Sequence, residues 1–427
     1  MKLLLKNATR LTESNVAENV DILIVDKYIK EISRNISDDT AQVVDCENNM
    51  VFPGFIDVHI HLREPGGEHK ETIESGTKAA ARGGFTTVCA MPNTSPVPDS
   101  EESVKALLNK INESAVVRVL PYAAITKDLN GEVLNDIKQI ADMGVFAFTD
   151  DGVGIQTADL MLRAMKEAAA ANVSVVAHCE DNSIVYSGVV HLGNVSDRID
   201  LPGIPSLSES VQIARDVLLA EATGAHYHVC HVSTKESVRV IRDAKKAGIH
   251  VTAEVTPHHL LLNEDAVLKD DTNYKMNPPL RSKEDQEALL TGLLDGTIDF
   301  IATDHAPHAE SEKAKGFLTS PFGIVGLETA FSLLYTYLVK SNKITLRQLV
   351  DWLTIKPAEV FGMPYGKLKE KEIADITIVN LEKETKVDKH KFHSKGKNTP
   401  FDKWEITSKP VLTISEGKIV YKEDIHD

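Results

Sequence analysis

The sequence has little cysteine, and the cysteines it has form no metal or disulfide framework. Its four cysteines, Cys46, Cys89, Cys179 and Cys230, are far apart and include no Cys-X-X-Cys pair. This usage is typical of reduced, mostly buried thiols, so we expect a cytoplasmic protein. The opening MKLLLKNATRLTE places a charge after three consecutive leucines and shows no cleavage site. We therefore expect no secretory signal.

Long apolar runs and basic segments are also missing. No uninterrupted apolar stretch reaches the ~18 residues of a membrane span. The nearest candidate, 322–339, contains Glu328 and several hydroxyl residues, which favours a helix buried against other parts of the protein. The chain has 47 Lys+Arg against 63 Asp+Glu, a formal net charge of −16. These features argue against nucleic acid and against an anionic membrane as partners.

The two ends of the chain resemble each other in pattern. Residues 1–53 contain short β-rich stretches separated by polar turns, and the segments 374–380 and 410–421 alternate polar and apolar residues. Such alternation predicts half-buried antiparallel strands. We predict that 1–53 and 366–427 form one small β-sandwich domain built from both termini. Two independent terminal hairpins are the alternative.

The middle of the chain, 54–365, alternates strands with helices. Strands are predicted to end near His61, Met91, Tyr122, Thr149, His178, His231, Glu254 and Asp304. Helices are predicted over Thr157–Ala171, Ser208–Thr223 and Thr234–Ala247, with Ser208 and Thr234 as N-caps and Gly224 and Gly248 as stops. This order predicts an α/β fold, a TIM-like (β/α)8 barrel. A doubly wound sheet is the alternative, weakened by the lack of a G-X-G-X-X-G motif. The polar stretch 309–317 is predicted to be a surface loop, either an ordinary connection or a lid.

The sharpest chemical signal is Asp57-Val-His59-Ile-His61-Leu-Arg63. Residues i and i+2 of a strand point to the same side, so His59 and His61 can bind one transition metal together. Other predicted strands also end in ligand-type side chains, namely His178, the group His226, His228 and His231, the pair Asp150 and Asp151, and Asp304. Because barrel active sites are assembled from several strand ends, the sequence predicts a metal centre there. His231 is favoured within its group since it lies at the end of the strand, whereas spacing alone leaves Asp150 and Asp151 both open.

Nine segments in order along nearly the whole chain carry a family resemblance: PGFIDVHIHLREPG, AMPNTSPVPD, FAFTDDGVG, VVAHCEDN, YHVCHVSTKES, EVTPHHL, YKMNPPLR, ATDHAPH and PFGIVGLETA. They resemble the amidohydrolase superfamily and, within it, the type I bacterial dihydroorotases. The resemblance implies a zinc-dependent enzyme of de novo pyrimidine (UMP) biosynthesis. Its reaction is the reversible cyclisation of N-carbamoyl-L-aspartate to L-dihydroorotate.

The same resemblance implies the ligands of two zinc ions. His59, His61 and Asp304 would hold one ion, His178 and His231 the other, and Asp151 and a hydroxide would bridge them. The metal-bound hydroxide is the implied nucleophile, and Asp304 the implied general acid and base. Many relatives bridge with a carboxylated lysine, but 144–151 contains no lysine. Asp150 is interpreted as a structural hydrogen-bonding residue.

The implied substrate contacts are His61, Arg63, Asn93, Asn277, His308, Phe322 and Gly323. Arg63 would grip a substrate carboxylate through its planar guanidinium group. We expect His258 and His259 to be loop or supporting residues and not ligands. A homodimer and an association with aspartate transcarbamoylase are further implications. The rival interpretations are another cyclic amidohydrolase, of the dihydropyrimidinase or allantoinase type, and a non-catalytic scaffold relative.

Overall fold

The computed structural model describes residues 1–12 and 14–423. Its strands are β1 (Lys2–Leu11), β2 (Ala17–Val25), β3 (Tyr28–Ser33), β4 (Gln42–Asp45), β5 (Met50–Pro53), β6 (Phe55–Ile60), β7 (Phe85–Ala90), β8 (Arg118–Pro121), β9 (Val175–Ala177), β10 (Val190–His191), β11 (Gly203–Ile204), β12 (Tyr227–Val229), β13 (Val251–Val255), β14 (Phe300–Ile301), β15 (Ile376–Lys386), β16 (Glu405–Ser415) and β17 (Lys418–Lys422).

The helices surround the strands of the middle region. They are α1 (Ile73–Arg82), α2 (Glu101–Ser114), α3 (Ile137–Ala141), α4 (Ala158–Ala171), α5 (Asn194–Ile199), α6 (Leu207–Thr223), α7 (Lys235–Lys246), α8 (Pro257–Leu261), α9 (Lys283–Leu294), α10 (Glu310–Lys313), α11 (Gly316–Thr319), α12 (Ala330–Leu334), α13 (Leu346–Trp352) and α14 (Ile355–Val360). A π-helical turn over Tyr335–Val339 continues α12. None of the helices in these described ranges has the length and apolar character needed to cross a bilayer.

The barrel closes through two parallel sheets and three single bridges. One sheet is β6-β7-β8 and the other is β9-β12-β13-β14. Phe148 joins them by pairing with Ala123 on one side and Val175 on the other, and Ile60 pairs with His305 to close the ring. The fourth predicted strand, ending near Thr149, is therefore reduced to bridges at Phe148. The TIM-like barrel predicted from the sequence is confirmed, because its C-terminal strand ends meet at one rim.

Local capping explains where the barrel helices begin and end. The hydroxyl groups of Thr157 and Thr234 accept hydrogen bonds from Leu160 N and Ser237 N, so both residues are N-caps. The prediction for Ser208 was wrong, since it lies inside α6, where its hydroxyl donates to Pro205 O at 2.8 Å. Gly224 ends α6 at φ +70°, a left-handed conformation that glycine adopts without a steric penalty.

The two ends of the chain meet in an eight-stranded sheet. Its order is β17-β16-β15-β5-β1-β2-β3, with β4 beside β1. The antiparallel pair β15–β5 joins the C-terminal strands to the N-terminal ones. The pairs β1–β4 and β1–β5 are parallel, whereas we expected antiparallel neighbours throughout. Side chains from both ends form one buried cluster that includes Leu5, Ile22, Ile24, Ile376 and Ile414.

Two segments beside the barrel rim differ from the sequence prediction. The predicted loop 309–317 contains α10 and the start of α11. In this segment, the hydrogen bond from the ammonium group to Pro321 O compensates for the loss of water, and Lys313 is buried there because its ammonium group donates to Pro321 O. The predicted helix over 322–339 begins only at Ala330. Ile324 pairs instead with His305, which keeps the chain before the helix extended.

A strap, residues 387–404, runs from β15 towards the barrel rim before β16 begins. Phe392 and Phe401 belong to a buried cluster with Leu262 and Phe317 of the barrel. Asn398 is buried beneath the rim, where its amide group donates to Ala306 O and Gly323 O at 2.9 Å each. Part of the C-terminal region thus contributes to the barrel rim as well as to the sheet.

Phe331 of α12 fastens the barrel to the strand that precedes it. Its ring is stacked 5.0 Å from Phe55 of β6 and lies 6.0 Å from Phe52 of β5. We expect Phe331→Ala to lower the free energy of unfolding by about 3–5 kcal/mol, because it leaves a cavity among aromatic rings. Urea denaturation measures the change. Leu318→Ala is the control, since Leu318 is 63% exposed and its loss should change stability by less than about 0.5 kcal/mol. Equal midpoints for the two variants would contradict this role of Phe331.

Candidate metal centre

Six ligand-type side chains meet at the C-terminal rim of the barrel. His59 lies in β6 and His61 just beyond it, while His178, His231 and Asp304 follow β9, β12 and β14. Asp151 follows the bridging residue Phe148. All six side chains are buried. The barrel brings together residues that are far apart in the sequence because parallel strands end on the same side.

The six residues form two adjoining halves that overlap, since ligand atoms of His59, His231 and Asp304 also lie within 4.8 Å of one another. In one half, Asp304 Oδ1 lies 3.0 Å from His61 Nε2 and 3.4 Å from His59 Nε2. In the other, His178 Nδ1 lies 3.0 Å from His231 Nε2. Asp151 lies between them: one group of ligand atoms within 4.8 Å of one another contains Asp151 with His59 and His61, and another contains Asp151 with His178 and His231.

Several of these atoms are left without a hydrogen-bond partner. Within the described part of the chain, His59 Nε2, Asp151 Oδ1 and His231 Nδ1 are buried and unpaired. An unsatisfied buried polar atom costs about 1–3 kcal/mol, so several in one place call for an explanation. A divalent cation fits, because imidazole nitrogens and carboxylate oxygens are the ligands that zinc and similar ions take.

The electrostatics favour the metal-binding forms of Asp151 and His231, whereas at His59 burial is outweighed by the charges of Cys230, Asp304 and Glu254, which raise its pKa. Burial alone would raise the pKa of Asp151, but His59 Nε2 at 3.5 Å from Asp151 Oδ1, together with the charges of His61 and His178, holds that pKa well below its usual range. Burial, with the nearby imidazoles of His178 and His59, lowers the pKa of His231 far below its usual value. An ionised carboxylate and a neutral imidazole are the species that coordinate a metal.

Three residues at this rim have a left-handed backbone conformation. Arg63, His231 and Asp304 have φ values of +60°, +31° and +47°. Residues with a side chain rarely adopt such values, and each instance costs roughly 1–3 kcal/mol. The surrounding contacts therefore impose these conformations, which fits a site built for function.

Two acidic residues next to the ligands have different tasks. Asp150 Oδ1 accepts hydrogen bonds from Ile125 N at 2.8 Å and Thr126 N at 3.0 Å, as expected of a structural residue. Glu254, to which the sequence analysis gave no role, lies 2.6 Å from His59 Nδ1. Burial alone would raise the pKa of Glu254, but His59 and His228 lower it to about 2, so the carboxylate is ionised. An acidic residue in the apolar strand 251–255 was the available signal.

Arg63 lies on the open side of the centre together with His308. Its Nε donates to Pro307 O at 3.2 Å, and its Nη2 lies 3.3 Å from His308 Nε2. Both of these contacts are with neutral groups and not with a carboxylate. Burial lowers the pKa of Arg63, although Asp304 and Asp151 oppose this shift. Asn93 Oδ1 lies 2.9 Å from His61 Nδ1, which places this amide directly behind a candidate ligand.

The remaining predicted substrate contacts are linked to a candidate ligand or to Arg63 by short contacts. Asn277 Nδ2 donates to Glu180 Oε2 at 2.9 Å and lies 3.5 Å from His178 Nε2. His308 Nε2 lies 2.8 Å from Phe322 O, and Gly323 N donates to Lys275 O at 3.0 Å. Position 323 requires glycine, because a Cβ atom there would lie 2.6 Å from Ala306 O. Glu180 was missed in the sequence analysis although it lies in the quoted segment VVAHCEDN, whereas Asn398 lies in none of the quoted segments.

His258 and His259 occupy helix α8 and not a loop. His259 Nε2 lies 3.0 Å from Pro278 O, and its Nδ1 lies 2.7 Å from Thr256 Oγ1. Both ring nitrogens of His259 are therefore engaged by the protein, which supports the interpretation that it is not a ligand.

Removing the metal should destabilise the fold. A ligand that binds only the native state stabilises it by about 4 kcal/mol at 1,000 times its Kd. We expect zinc added to metal-free protein to raise the free energy of unfolding by roughly this amount. Chemical denaturation with and without zinc measures the effect. His178→Ala should lose most of it, whereas His390→Ala, at an exposed position, should keep it. The same zinc effect in both variants would count against this site.

Comparison with known proteins agrees with the geometry. Residues 48–237 match the family model described as Dihydro-orotase-like. A dihydroorotase of Staphylococcus epidermidis is 61% identical over 423 residues, covering 99% of both chains. A dihydroorotase of Listeria monocytogenes serotype 4b is 60% identical over 419 residues, covering 98% of both chains.

Solved structures of related hydrolases share the fold. The L-hydantoinase (dihydropyrimidinase) of Arthrobacter aurescens superposes with a TM-score of 0.88 at 27% identity, covering 98% of this chain and 96% of its own. The dihydropyrimidinase of Brevibacillus agri superposes with a TM-score of 0.87 at 23% identity, covering 99% and 95%. The full-length identity of about 60% is to dihydroorotases. The chain belongs to the dihydroorotase family of cyclic amide hydrolases.

Proposed function

We propose that the metal centre, together with Arg63, carries out the reversible cyclisation of N-carbamoyl-L-aspartate to L-dihydroorotate in pyrimidine biosynthesis. The observation that carries this proposal is the position of Arg63. Its guanidinium group lies beside the ligand cluster, where Nε donates to Pro307 O and Nη2 lies 3.3 Å from His308 Nε2. Substrate and product both retain a carboxylate that does not react, and a guanidinium group binds such a carboxylate with defined geometry.

The cofactor we propose is a pair of zinc ions. His59, His61 and Asp304 would hold one and His178 and His231 the other, with Asp151 bridging them. The proximity of Asp151 to both halves of the cluster supports this division. Bound zinc would supply Lewis acidity toward a carbonyl oxygen and would activate water near neutral pH.

Asp304 is the proposed general acid and base. Its Oδ1 lies among the ligand nitrogens, 3.0 Å from His61 Nε2, on a backbone held at φ +47°. In the direction of cyclisation, Asp304 takes a proton from the carbamoyl nitrogen as the new C–N bond forms and passes it to the departing carboxylate oxygen, which takes a second proton from solvent and leaves as water. In hydrolysis it returns a proton to the departing ring nitrogen.

The proposed substrate contacts determine which carbonyl group reacts. Arg63 and Asn93 would hold the unreactive carboxylate, while Asn277, His308 and the backbone of Phe322 and Gly323 would face the rest of the pyrimidine ring. His61 would contact substrate as well as metal. Holding the reacting groups in one orientation can contribute several kcal/mol to lowering the barrier.

The nearest alternative is a dihydropyrimidinase-type activity, which the structural likeness to hydantoinases raises. Two features favour the dihydroorotase reaction: the presence of Arg63, and an aspartate where many relatives use a bridging lysine. Turnover of dihydroorotate against dihydrouracil, hydantoin and allantoin distinguishes the two activities. A homodimer, an association with aspartate transcarbamoylase and a cytoplasmic location stay predictions from the family resemblance.

Asp304→Asn should reduce turnover far more than it reduces bound metal. Asparagine keeps an oxygen for the metal but cannot accept the proton, and loss of a general base typically costs about 10²–10⁴-fold. Steady-state kinetics in both directions and elemental analysis of bound zinc measure the two effects. Asp295→Asn, which alters a surface acid paired with Arg242, serves as the control. Near-normal turnover of Asp304→Asn would rule out the role as base.

Arg63→Met should weaken substrate binding and leave the metal in place. Hydrogen bonds to a charged group contribute about 1.5–3 kcal/mol, which corresponds to a rise of roughly 10- to 150-fold in KM for carbamoyl aspartate. Arg163→Met is a matched control, because Arg163 is exposed and pairs with Asp159 four residues earlier in the same helix. An unchanged KM in Arg63→Met would contradict the carboxylate contact.

A further inference from the structure

A continuous series of hydrogen bonds runs through the barrel interior to His59. We call it the histidine chain. Glu254 Oε1 lies 2.6 Å from His59 Nδ1, and Glu254 Oε2 lies 3.1 Å from His228 Nε2. Thr252 Oγ1 lies 2.8 Å from His228 Nδ1 and 2.8 Å from His226 Nε2. The series ends at Ser174 Oγ, 2.7 Å from His226 Nδ1.

The strands place these residues in line. His228 of β12 is paired in register with Thr252 of β13. Alternate residues of a strand share a face, so His226 stands beside His228, and Glu254 beside Thr252. The sequence analysis singled out the three histidines of this segment, and the proposed function uses only His231. The other two have a different place, in the interior of the barrel and away from its rim.

Solvent exposure increases along the histidine chain from His59 to His226. His59, His228 and Glu254 are almost fully buried. His228 is stacked 5.2 Å from Phe300 and lies 5.1 Å from Phe361, so apolar rings exclude water around the link to Glu254. At the far end, His226 is half-buried and stacked 4.3 Å from the exposed His250. The series therefore connects the metal site with the opposite, solvent-facing end of the barrel.

The chemistry of the groups dictates where the protons lie. An ionised carboxylate can only accept, so His59 Nδ1 and His228 Nε2 both carry hydrogen. A neutral His228 then accepts at Nδ1 from the Thr252 hydroxyl. That hydroxyl oxygen accepts in turn from His226 Nε2, and His226 Nδ1 accepts from Ser174. When the imidazoles are neutral, only this arrangement gives a hydrogen-bond partner to each residue of the series. It leaves the lone pair of His59 Nε2 free on the side of Asp151 and Asp304.

We propose that the histidine chain sets the tautomer and orientation of His59, and that Glu254 and His228 are positioning residues for metal binding. The inference rests on the proposed metal-dependent function. Glu254 also reaches a second ligand, because its Oε1 lies 3.4 Å from the backbone N of His231. A metal-bound histidine whose other nitrogen donates to a carboxylate is held in one orientation and becomes a stronger ligand. Loss of such a partner typically costs about 10–100-fold in metal affinity.

Glu254→Gln tests the central link, because the side chain keeps its size while the carboxylate becomes an amide. We expect zinc affinity, measured by competition with a chromogenic chelator, to fall by about 10–100-fold. In metal-free protein labelled with ¹⁵N-histidine, at a pH high enough to leave His59 neutral, NMR should show His59 protonated at Nδ1 in the wild type and redistributed towards Nε2 in the variant. Asp216→Asn is the control, since Asp216 is equally buried but bonds Arg215 and Tyr227. Its zinc affinity should stay within about twofold of the wild-type value, well short of that loss.

Thr252 tests the chain at a point that does not touch a ligand. Thr252→Val removes the hydroxyl group and keeps the shape, so the Nδ1 of His228 and the Nε2 of His226 both lose a partner. We expect a smaller loss of zinc affinity, roughly three- to tenfold, in the same direction as for Glu254→Gln. Thr252→Ser restores the hydroxyl and should return the affinity and the ¹⁵N signals of His59 to wild-type values. The thermal midpoint of each metal-free variant verifies that it folds.

The outcomes separate this inference from the proposed function. If the wild type binds zinc through His59 and Glu254→Gln binds it equally well with the same His59 tautomer, the inference is overturned and the proposed function stands. Equal affinities for Thr252→Val and the wild type would also overturn the role of the chain as a whole. If the wild type binds no zinc, or binds it undiminished in His59→Ala, the proposed function itself fails.

Discussion

The burial of four imidazoles and two carboxylates in one barrel mouth is the constraint on which the rest of this structure depends. Polar groups removed from water destabilise a fold unless each has a partner. Part of the compensation is internal, because the pKa values of Asp151 and His231 are shifted so that anionic and neutral ligands lie side by side. The unpaired atoms that remain explain why a cation would belong to the folded state and not only to the reaction.

A second set of hydrogen bonds holds the backbone at His308, Pro321 and Gly323. Lys313 donates to Pro321 O at 3.0 Å and to Gly323 O at 3.2 Å, and Asn398 donates to the same Gly323 carbonyl. Asn398 also accepts from His308 N at 3.0 Å. Two side chains, one from a short helix and one from the strap, therefore fix the backbone of the segments that carry His308 and Gly323. The candidate metal ligands are positioned by strands, whereas these two predicted substrate contacts are positioned by side-chain hydrogen bonds.

Much of the site could be read from the sequence, because each ligand follows a short apolar stretch and parallel strands end together. His59 and His61 gave the clearest signal, since a two-residue spacing has a direct meaning on a strand. The misplaced cap at Ser208 and the late start of α12 have local causes, a hydroxyl that bonds Pro205 and an extended pairing at Ile324. Glu254 and Asn398 could not be assigned roles, because their importance lies in contacts with residues some 195 and 90 positions away. No window of local sequence contains such contacts.

The strap is synthesised after all six candidate metal ligands, because it lies near the end of the sequence. All six candidate metal ligands lie at or before Asp304 in the sequence. The backbone at His308 and Gly323, in contrast, is hydrogen-bonded by Asn398, and β5 pairs with β15 near the end of the chain. A nascent polypeptide emerging from the ribosome therefore contains every candidate metal ligand before it contains the residues that hold His308 and Gly323 in place. The candidate ligands can therefore bind a cation before His308 and Gly323 are held in place. That last step needs Asn398, which lies in the final tenth of the chain.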